Sequence, residues 1–519
     1  MSSMPVVCVY LNHVGDAYDE NGEEVQQVEC VMATNIPNEM DQVEDSHICV
    51  VMVGLPARGK SLIAQKIVRY LRWLSVNAKS FNVGSYRRAD TPHPSAAFFD
   101  TSNPEGERLR RAAAEAAVTD MLRWFEHEGG HVGILDATNS TQYRRKWIKE
   151  RCDAKGYDVL FVESKCDDED LIMSNILEVK TTSPDYIGQD PEEAARDFRD
   201  RIRNYEKVYQ TLTEPDLTYV KLINVGSQVV INQVSNYLQT RIIYFTMNLH
   251  ITPRSIWLSR HGESEYNVLG MIGGDASISP RGLAYADALP GLVRDSIGDK
   301  DVTLWTSTMK RTIQTARHLP YRKKQWKALD ELDAGVCDGL TYEEIEKKYP
   351  EDFRARDDDK YNYRYQGGES YRDVVIRLEP IIMEMERGEN IMIVTHQAIL
   401  RCIYAYFMNI PQDQSPWMEI PLHTVIKLTP RAYGTVEERF KANIPAVSTF
   451  RAKYTSANMG GEEGLEDMTD ESNMMSPPPT GAEINGIVKP DDVESFVPQK
   501  HPDPMVPVLL LGGDTMLVD

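Results

Sequence analysis

The segment "HICVVMVGLPARGKSLIAQKIVRYLRWL", residues 47–74, decides the fold class. Its first eight residues form a continuous, β-branched apolar run, as expected of a strand covered on both faces. Its last fourteen place Ile63, Ile67, Leu71 and Leu74 on one helical stripe. Between them "GLPARGKS" (54–61) fits the spacing G-x-x-x-x-G-K-[ST]. Strand, glycine-rich turn and helix are the context that this spacing needs. Gly54 and Gly59 let the backbone turn sharply and aim its N–H groups at phosphate oxygens. The start of the helix adds its positive dipole end. The turn Gly54, Leu55, Pro56, Ala57, Arg58, Gly59, Lys60 and Ser61 therefore reads as a cradle for a nucleoside triphosphate. Lys60 would reach its β- and γ-phosphates, and Ser61 would ligate Mg²⁺.

Working outward, "GGHVGILDATNS" (129–140) and "YDVLFVES" (157–164) read as further buried strands separated by helical stretches. Alternating strands and helices imply a parallel α/β sheet, here running to about residue 250. Asp136 ends the first of these two strands, where a carboxylate can hold a magnesium shell or orient an attacking hydroxyl. A phosphoryl acceptor needs its own site, and guanidinium groups bind phosphate bidentately. Candidates are Arg87 and Arg88, then Arg108, Arg110 and Arg111, then Arg144 and Arg145, and a helical set of Arg199, Arg201, Arg203 and Tyr205. Spacing alone does not choose among them.

A second α/β block opens near "TPRSIWLSRHG" (252–262), with "TPR" as a short hinge, and ends near 445. It carries strands "VTLWTS" (302–307) and "NIMIVTHQ" (390–397). His261 and His396 each follow a strand at its carboxyl end, where open α/β sheets bind ligands. Arg260 adjoins the first, and Arg311 lies in a helical stretch for which Ser307 reads as the N-cap. Two imidazoles and two guanidiniums would make a pocket for a tetrahedral anion. A neutral imidazole can attack phosphorus and carry the phosphoryl group, while the arginines stabilise its oxygens. Asp330, Glu331 and Asp333 offer a proton for the leaving oxygen.

Composition bounds the rest. The chain has 519 residues, 41% apolar and 26% charged, with a net charge of −22. That charge disfavours a nucleic-acid binder. No apolar run is long enough to span a bilayer, and the start does not read as a targeting peptide. Seven scattered cysteines without a CxxC pair fit a reducing, cytoplasmic setting. Residues 1–45 are polar and acidic and read as mobile. Residues 446–519 are acidic and rich in Gly, Ser and Pro, and read as a disordered tail.

The motifs together resemble one family. "SRHGESEYN", "GGDASISPRG", "WTSTMKRTIQTA", "ALDELDAGVCDGLTYEEI", "YRYQGGESY" and "VTHQAILR" are similar to the histidine-phosphatase (phosphoglycerate-mutase-like) half of the bifunctional 6-phosphofructo-2-kinase/fructose-2,6-bisphosphatases. "GLPARGKS", "FNVGSYRR", "LDATNST", "ESKCDD", "NILEVKTTSPDY" and "RIRNYE" are similar to the kinase half. The resemblance implies a P-loop NTPase-like parallel-sheet domain over 46–250 and a histidine-phosphatase α/β domain over 251–445. It implies ATP and Mg²⁺, and two opposed reactions that make and hydrolyse fructose 2,6-bisphosphate and so set glycolytic against gluconeogenic flux. It makes His261 the phosphohistidine nucleophile, beside Arg260, Arg311 and His396, with Glu331 as proton donor. It assigns Asn267, Gly273, Tyr342, Arg356, Lys360, Tyr371, Gln397 and Arg401 to fructose 2,6-bisphosphate. Arg87, Arg110, Thr138, Arg144, Lys180, Arg201 and Tyr205 match the fructose 6-phosphate site, Asn175 the nucleotide stretch, and Asp136 and Cys166 the catalytic region.

Departures are Ser61 in place of a common threonine, Ser85 in place of a common acid, and the segment "ADTPHPSAA". A homodimer is also implied. Thr455, Ser456 and "MSPPP" (475–479) are the expected tail targets of regulatory protein kinases.

Overall fold

Strand β1 (Ile48–Val53) has all six residues buried and lies inside a six-stranded sheet, as its unbroken apolar run requires. The computed structural model describes residues 47–451, apart from 91–93, 170–171, 174–175, 177–184, 187–189, 225–226, 250–253, 389 and 432–433. Asn175, Lys180, Thr455, Ser456 and 475–479 lie outside the described residues, as do 1–46. The sheet also contains β2 (Ala78–Asn82), β3 (Val132–Asp136), β4 (Asp158–Lys165), β5 (Tyr219–Ile223) and β6 (Gln228–Asn232), in the order β2-β3-β1-β4-β5-β6. β1 pairs parallel with β3 and β4 on either side, which puts the glycine-rich turn at the carboxyl edge of the sheet centre. The sheet is not wholly parallel: β6 returns antiparallel on β5 as an edge strand.

The second sheet runs β12-β11-β7-β10-β8-β9. Here β7 is Ile256–Arg260, β8 Thr303–Thr306, β9 Arg322–Gln325, β10 Ile391–Thr395, β11 Thr424–Arg431 and β12 Gly434–Lys441. β7 and β10 are parallel neighbours, with Thr395 paired to Arg260. That register brings the residues after both strands, His261 and His396, side by side. β11 and β12 form an antiparallel hairpin on one edge.

Of the expected hinge "TPR", Thr252 and Pro253 lie outside the described residues, and Arg254 is held in place. Arg254 is buried and donates to the carbonyls of Glu386 and Gly388 and to the Glu386 carboxylate. One apolar core runs across the junction, from Ile63 and Ile67 to Ile399, Ile403 and Tyr406. Trp73 contributes its indole N–H to the Cys402 carbonyl at 3.0 Å. No described helix is long and apolar enough to cross a membrane.

Candidate active sites

The glycine-rich turn holds its shape through strained backbone and long-range bonds. Gly54, Ala57 and Gly59 have φ of 138°, 60° and 74°. A Cβ on Gly54 would meet the Ser164 carbonyl oxygen at 2.4 Å, so only glycine fits there. The Gly54 amide donates to Thr138 O at 3.0 Å, which ties the turn to the end of β3. Arg58 Nε donates to Cys166 O at 2.9 Å. Helix Lys60–Trp73 then begins within the turn.

Lys60 donates to Leu55 O and faces Asp136. Burial lowers the Lys60 pKa to about 7, with Asp136 opposing and Arg58 and Arg201 assisting the fall. Burial pushes the Asp136 carboxyl up, against the Ser61 hydroxyl bonded to it, the Lys60 charge and Asn82. Asn82 Nδ2 donates to Asp136 at 2.6 Å. The side chain of Cys166 lies in an apolar cluster with Ile172, Ile176 and Tyr186. Ala57 of the turn packs against that cluster, and the Cys166 backbone oxygen accepts from Arg58.

Of the arginines, the structure brings Arg87 and Arg201 together. Arg87 Nη2 donates to both oxygens of Asp185, at 2.6 and 2.7 Å, and Arg201 Nη1 to Oδ2 at 3.1 Å. Phe99 ties in the remainder. Arg201 lies 3.9 Å over its ring, Tyr205 6.0 Å from it, and Arg110 donates to its carbonyl at 2.7 Å. Arg144 is close enough to feel Tyr205, and its Nε is buried without a hydrogen-bond partner among the described residues. Arg145 instead serves structure, fully buried on Glu214 and Gln210. Asp185 and Phe99 carry no local signal that would single them out beforehand.

The second site follows from the β7–β10 register. The His261 and His396 rings are 5.2 Å apart. His261 Nδ1 lies 2.8 Å from the Gly262 carbonyl, which only accepts, so Nδ1 carries the proton and Nε2 keeps its lone pair. The Gly262 amide in turn donates to Thr315 Oγ1 at 2.8 Å. Burial and then Arg311 and Arg260 hold the His261 pKa well below its ordinary value. The same causes, burial and Arg311 foremost, hold His396 down. Both imidazoles are neutral.

Ser307 is not the helix N-cap that its position suggests. That place falls to Met309, and helix Lys310–Thr315 begins without a side-chain cap. Ser307 Oγ bonds His396 Nε2 and Thr312 Oγ1, each at 2.8 Å. On the other side Arg311 Nε donates to His396 Nδ1 at 3.2 Å. Since Nδ1 accepts, Nε2 must be the protonated nitrogen, donating to Ser307.

Glu331, not Asp330 or Asp333, is the acid in the pocket. Its carboxylate accepts from the amides of Leu332, Gln397 and Ala398 at 3.0–3.2 Å, at the start of helix Gln397–Met408. Asp330 is spent on Thr308 and Asp333 on Gly335.

A cavity of about 460 Å³ joins these groups to the rest of the candidate set. Asn267, Gly273, Tyr342, Arg356, Lys360, Tyr371, Gln397 and Arg401 all line it. Arg401 donates to the Tyr371 hydroxyl at 3.0 Å and Arg356 to those of Tyr342 and Tyr365 at 3.1 and 2.8 Å. Gly273, at φ 71°, has no room for a Cβ because Asp338 would lie 1.6 Å from it.

The cavity wall also contains Ser448, Thr449, Phe450 and Arg451, residues that composition assigns to the tail. Thr449 Oγ1 accepts from Arg260 Nη1 at 2.7 Å, and the Val447 amide donates to buried Glu263 at 2.9 Å. The folded block therefore extends past 445.

Two family models match the two α/β blocks in turn. A family model described as 6-phosphofructo-2-kinase matches residues 37–253, and one described as the histidine phosphatase superfamily (branch 1) matches 256–443. A Saccharomyces cerevisiae protein named fructose-2,6-bisphosphatase is 58% identical over 79% of this chain and 92% of its own. The human 6-phosphofructo-2-kinase/fructose-2,6-bisphosphatase 4 is 50% identical over 78% of this chain and 86% of its own. Among solved structures, an alpha-ribazole phosphatase from Shigella flexneri is 23% identical, with a TM-score of 0.33, over 37% of this chain and 99% of that one.

Proposed function

The chain belongs to the 6-phosphofructo-2-kinase/fructose-2,6-bisphosphatase family, and from that premise we propose how its residues divide the work. It is a bifunctional enzyme of fructose 2,6-bisphosphate metabolism, and its kinase half uses ATP. In our reading the turn 54–61 cradles the phosphates of ATP and Lys60 neutralises charge on the transferring group. Arg87, Arg110, Arg144, Arg201 and Tyr205 hold the 6-phosphate and ring of fructose 6-phosphate. The 2-hydroxyl attacks the γ-phosphorus, the bond to ADP breaks and the hydroxyl proton passes to solvent. Positioning and charge carry such a loose transfer, so no protein nucleophile is needed.

The Ser61 hydroxyl and the Asp136 carboxylate, bonded to one another beside Lys60, are two hard oxygen donors. That number suits Mg²⁺ when phosphates and water complete its shell, and these two residues would hold it. When bound, the ion supplies positive charge to the phosphate oxygens.

In the second half, His261 Nε2 attacks the phosphorus on the sugar's 2-oxygen. The phosphorus–oxygen bond breaks, and Glu331 gives its proton to the departing oxygen. Arg260 and Arg311 hold the charge on the transferring oxygens. Water then attacks the phosphohistidine and passes a proton back to the Glu331 carboxylate; the nitrogen–phosphorus bond breaks, phosphate leaves and His261 Nε2 is free again. The observation that carries this reading is the bond from His261 Nδ1 to the Gly262 carbonyl, which leaves Nε2 free between two guanidiniums. Label from fructose 2-[³²P],6-bisphosphate should appear on the protein as an acid-labile adduct. It should be missing in His261→Ala, and label in that variant would contradict the assignment.

A cytoplasmic homodimer acting as a glycolytic switch is the setting we propose. The contact of Thr449 with Arg260 favours control of the phosphatase through the adjoining tail, by protein kinases acting at Thr455 or Ser456. Such control requires that removing residues 452–519 change the ratio of the two activities; an unaltered ratio would rule it out.

A further inference from the structure

One end of the phosphatase cavity gathers four basic side chains. Arg356, Lys360, Arg401 and Arg451 all line it. The carboxylate among them is Asp357, which bonds Arg356 Nη1 at 2.6 Å and Arg451 Nη2 at 3.2 Å. Glu343 and Glu346 line the cavity as well. Lys360 lies 4.1 Å over the Trp417 ring. Its pKa falls to about 5, first through burial, then through repulsion by Arg356 and Arg401, with Arg451 adding to these and Asp357 opposing. A lysine so crowded is waiting for an anion.

Arg451 is placed with care for a residue at the edge of an acidic tail. Its guanidinium stacks 4.4 Å from the Phe353 ring and 5.0 Å from Tyr342, whose other neighbour is Arg356, also at 5.0 Å. Its Nη1 is buried and has no hydrogen-bond partner among the described residues. A buried guanidinium nitrogen left unsatisfied is costly, and an oxygen-rich anion would complete it.

We propose that Arg451 is a substrate-binding residue of the phosphatase, the fourth cation of a subsite that grips the second phosphate group, the one not transferred to His261. This rests on the reading of the His261 pocket as the bisphosphatase site. The segment carrying Arg451 is then part of the pocket wall, and Thr449 on Arg260 fastens that wall at its other end. The phosphate at this subsite does not react, so its grip serves binding and orientation.

The test compares two substrates on the full-length chain. Fructose 2,6-bisphosphate carries both phosphates; fructose 2-phosphate lacks the one that Arg451 would hold. The wild-type preference in kcat/KM for the bisphosphate should shrink about tenfold in Arg451→Ala, the size of one lost charge-assisted contact, and mainly through KM. Arg451→Lys should restore part of it. The kinase rate of each variant, measured on the same sample, reports whether the chain is folded. An unchanged preference in folded Arg451→Ala would overturn the proposal. So would a faster enzyme on both substrates, which would make the segment a plug. A wild-type protein with no hydrolysis of the bisphosphate would sink the reading of the pocket itself, and this assignment with it.

Discussion

His396 shows how much one hydroxyl can decide. Its two nitrogens are both committed, Nδ1 to Arg311 and Nε2 to Ser307. Thr312 Oγ1 has the Met309 carbonyl at 2.9 Å to donate to, so Ser307 passes its own proton to Thr312 and accepts from the imidazole. Ser307 is thereby a positioning residue that fixes the tautomer of His396 and, through it, the direction of Arg311. Ser307→Ala should lower phosphatase kcat about 10- to 100-fold, as loss of an outer hydrogen-bond partner does, with KM little changed. The ¹⁵N shifts of His396 should lose the Nε2–H pattern at the same time. Unchanged shifts and an unchanged kcat would refute the assignment.

Lys60 makes the matching case in the other site. Its pKa of about 7 lies far under the ordinary lysine value of 10.5 because burial dominates. A triphosphate brings negative charge and raises it again. At pH 8 to 9 the free side chain is mostly neutral and the nucleotide-bound one charged, so ATP binding should take up close to one proton. Calorimetry in two buffers of different ionisation enthalpy reads that number. Lys60→Met should abolish the uptake, and a wild-type protein that binds ATP with none would contradict the account.

At this scale the sequence was partly legible. Lys60, Asp136, His261 and His396 announce themselves because each ends or follows a strand beside a glycine or threonine punctuation. Glu331 stood out from its two acidic neighbours only by family resemblance. Asp185, Ser307 and Arg451 were hidden, because each acts through contacts that the fold makes and local spacing does not.

Among elements, the strands that carry continuous apolar runs were readable and the edges were not. β9 is Arg-Lys-Lys-Gln, with nothing apolar to mark it, and it pairs only with β8. β12 is largely exposed and β6 half so. Such strands form because a neighbour offers hydrogen bonds, which no local pattern reports.

The junction between helices was hidden for the same reason. Lys66 and Arg69, on the helix that begins at the glycine-rich turn, reach Glu386 at 2.7 Å each. Arg254 and the Tyr406 hydroxyl meet the same carboxylate at 2.9 and 2.7 Å. Glu386 is fully buried, on the helix Tyr371–Arg387 whose first residue lines the phosphatase cavity. Burial pushes its carboxyl up, yet Lys66, Arg254 and Arg69 together hold it well below the usual range.

Removing the carboxylate would strand two buried cations, Lys66 and Arg254, and the partly buried Arg69. Glu386→Ala should cost about 3–5 kcal/mol of stability, the usual penalty for breaking a buried ion pair. The denaturant midpoint measures it, and a loss under about 1 kcal/mol would show that the cluster is solvated instead.

Seen whole, the molecule separates two chemistries that one pocket could not favour together. Transfer from ATP wants charge and exclusion of water; hydrolysis wants a nucleophile that later admits water. The two sheets meet this by each placing reactive groups at the carboxyl ends of their central strands, with one apolar core between them. The expectation of two α/β blocks was readable from strand and helix alternation. Their common core was not, because it joins residues more than 300 positions apart, such as Trp73 and Cys402.

The most direct test is one purified sample of each of two variants, assayed in both directions. Lys60→Met should lose fructose 6-phosphate phosphorylation and keep fructose 2,6-bisphosphate hydrolysis, while His261→Ala should lose hydrolysis and keep phosphorylation. If either change removes both activities from a folded protein, the two reactions do not occupy separate sites and the account fails.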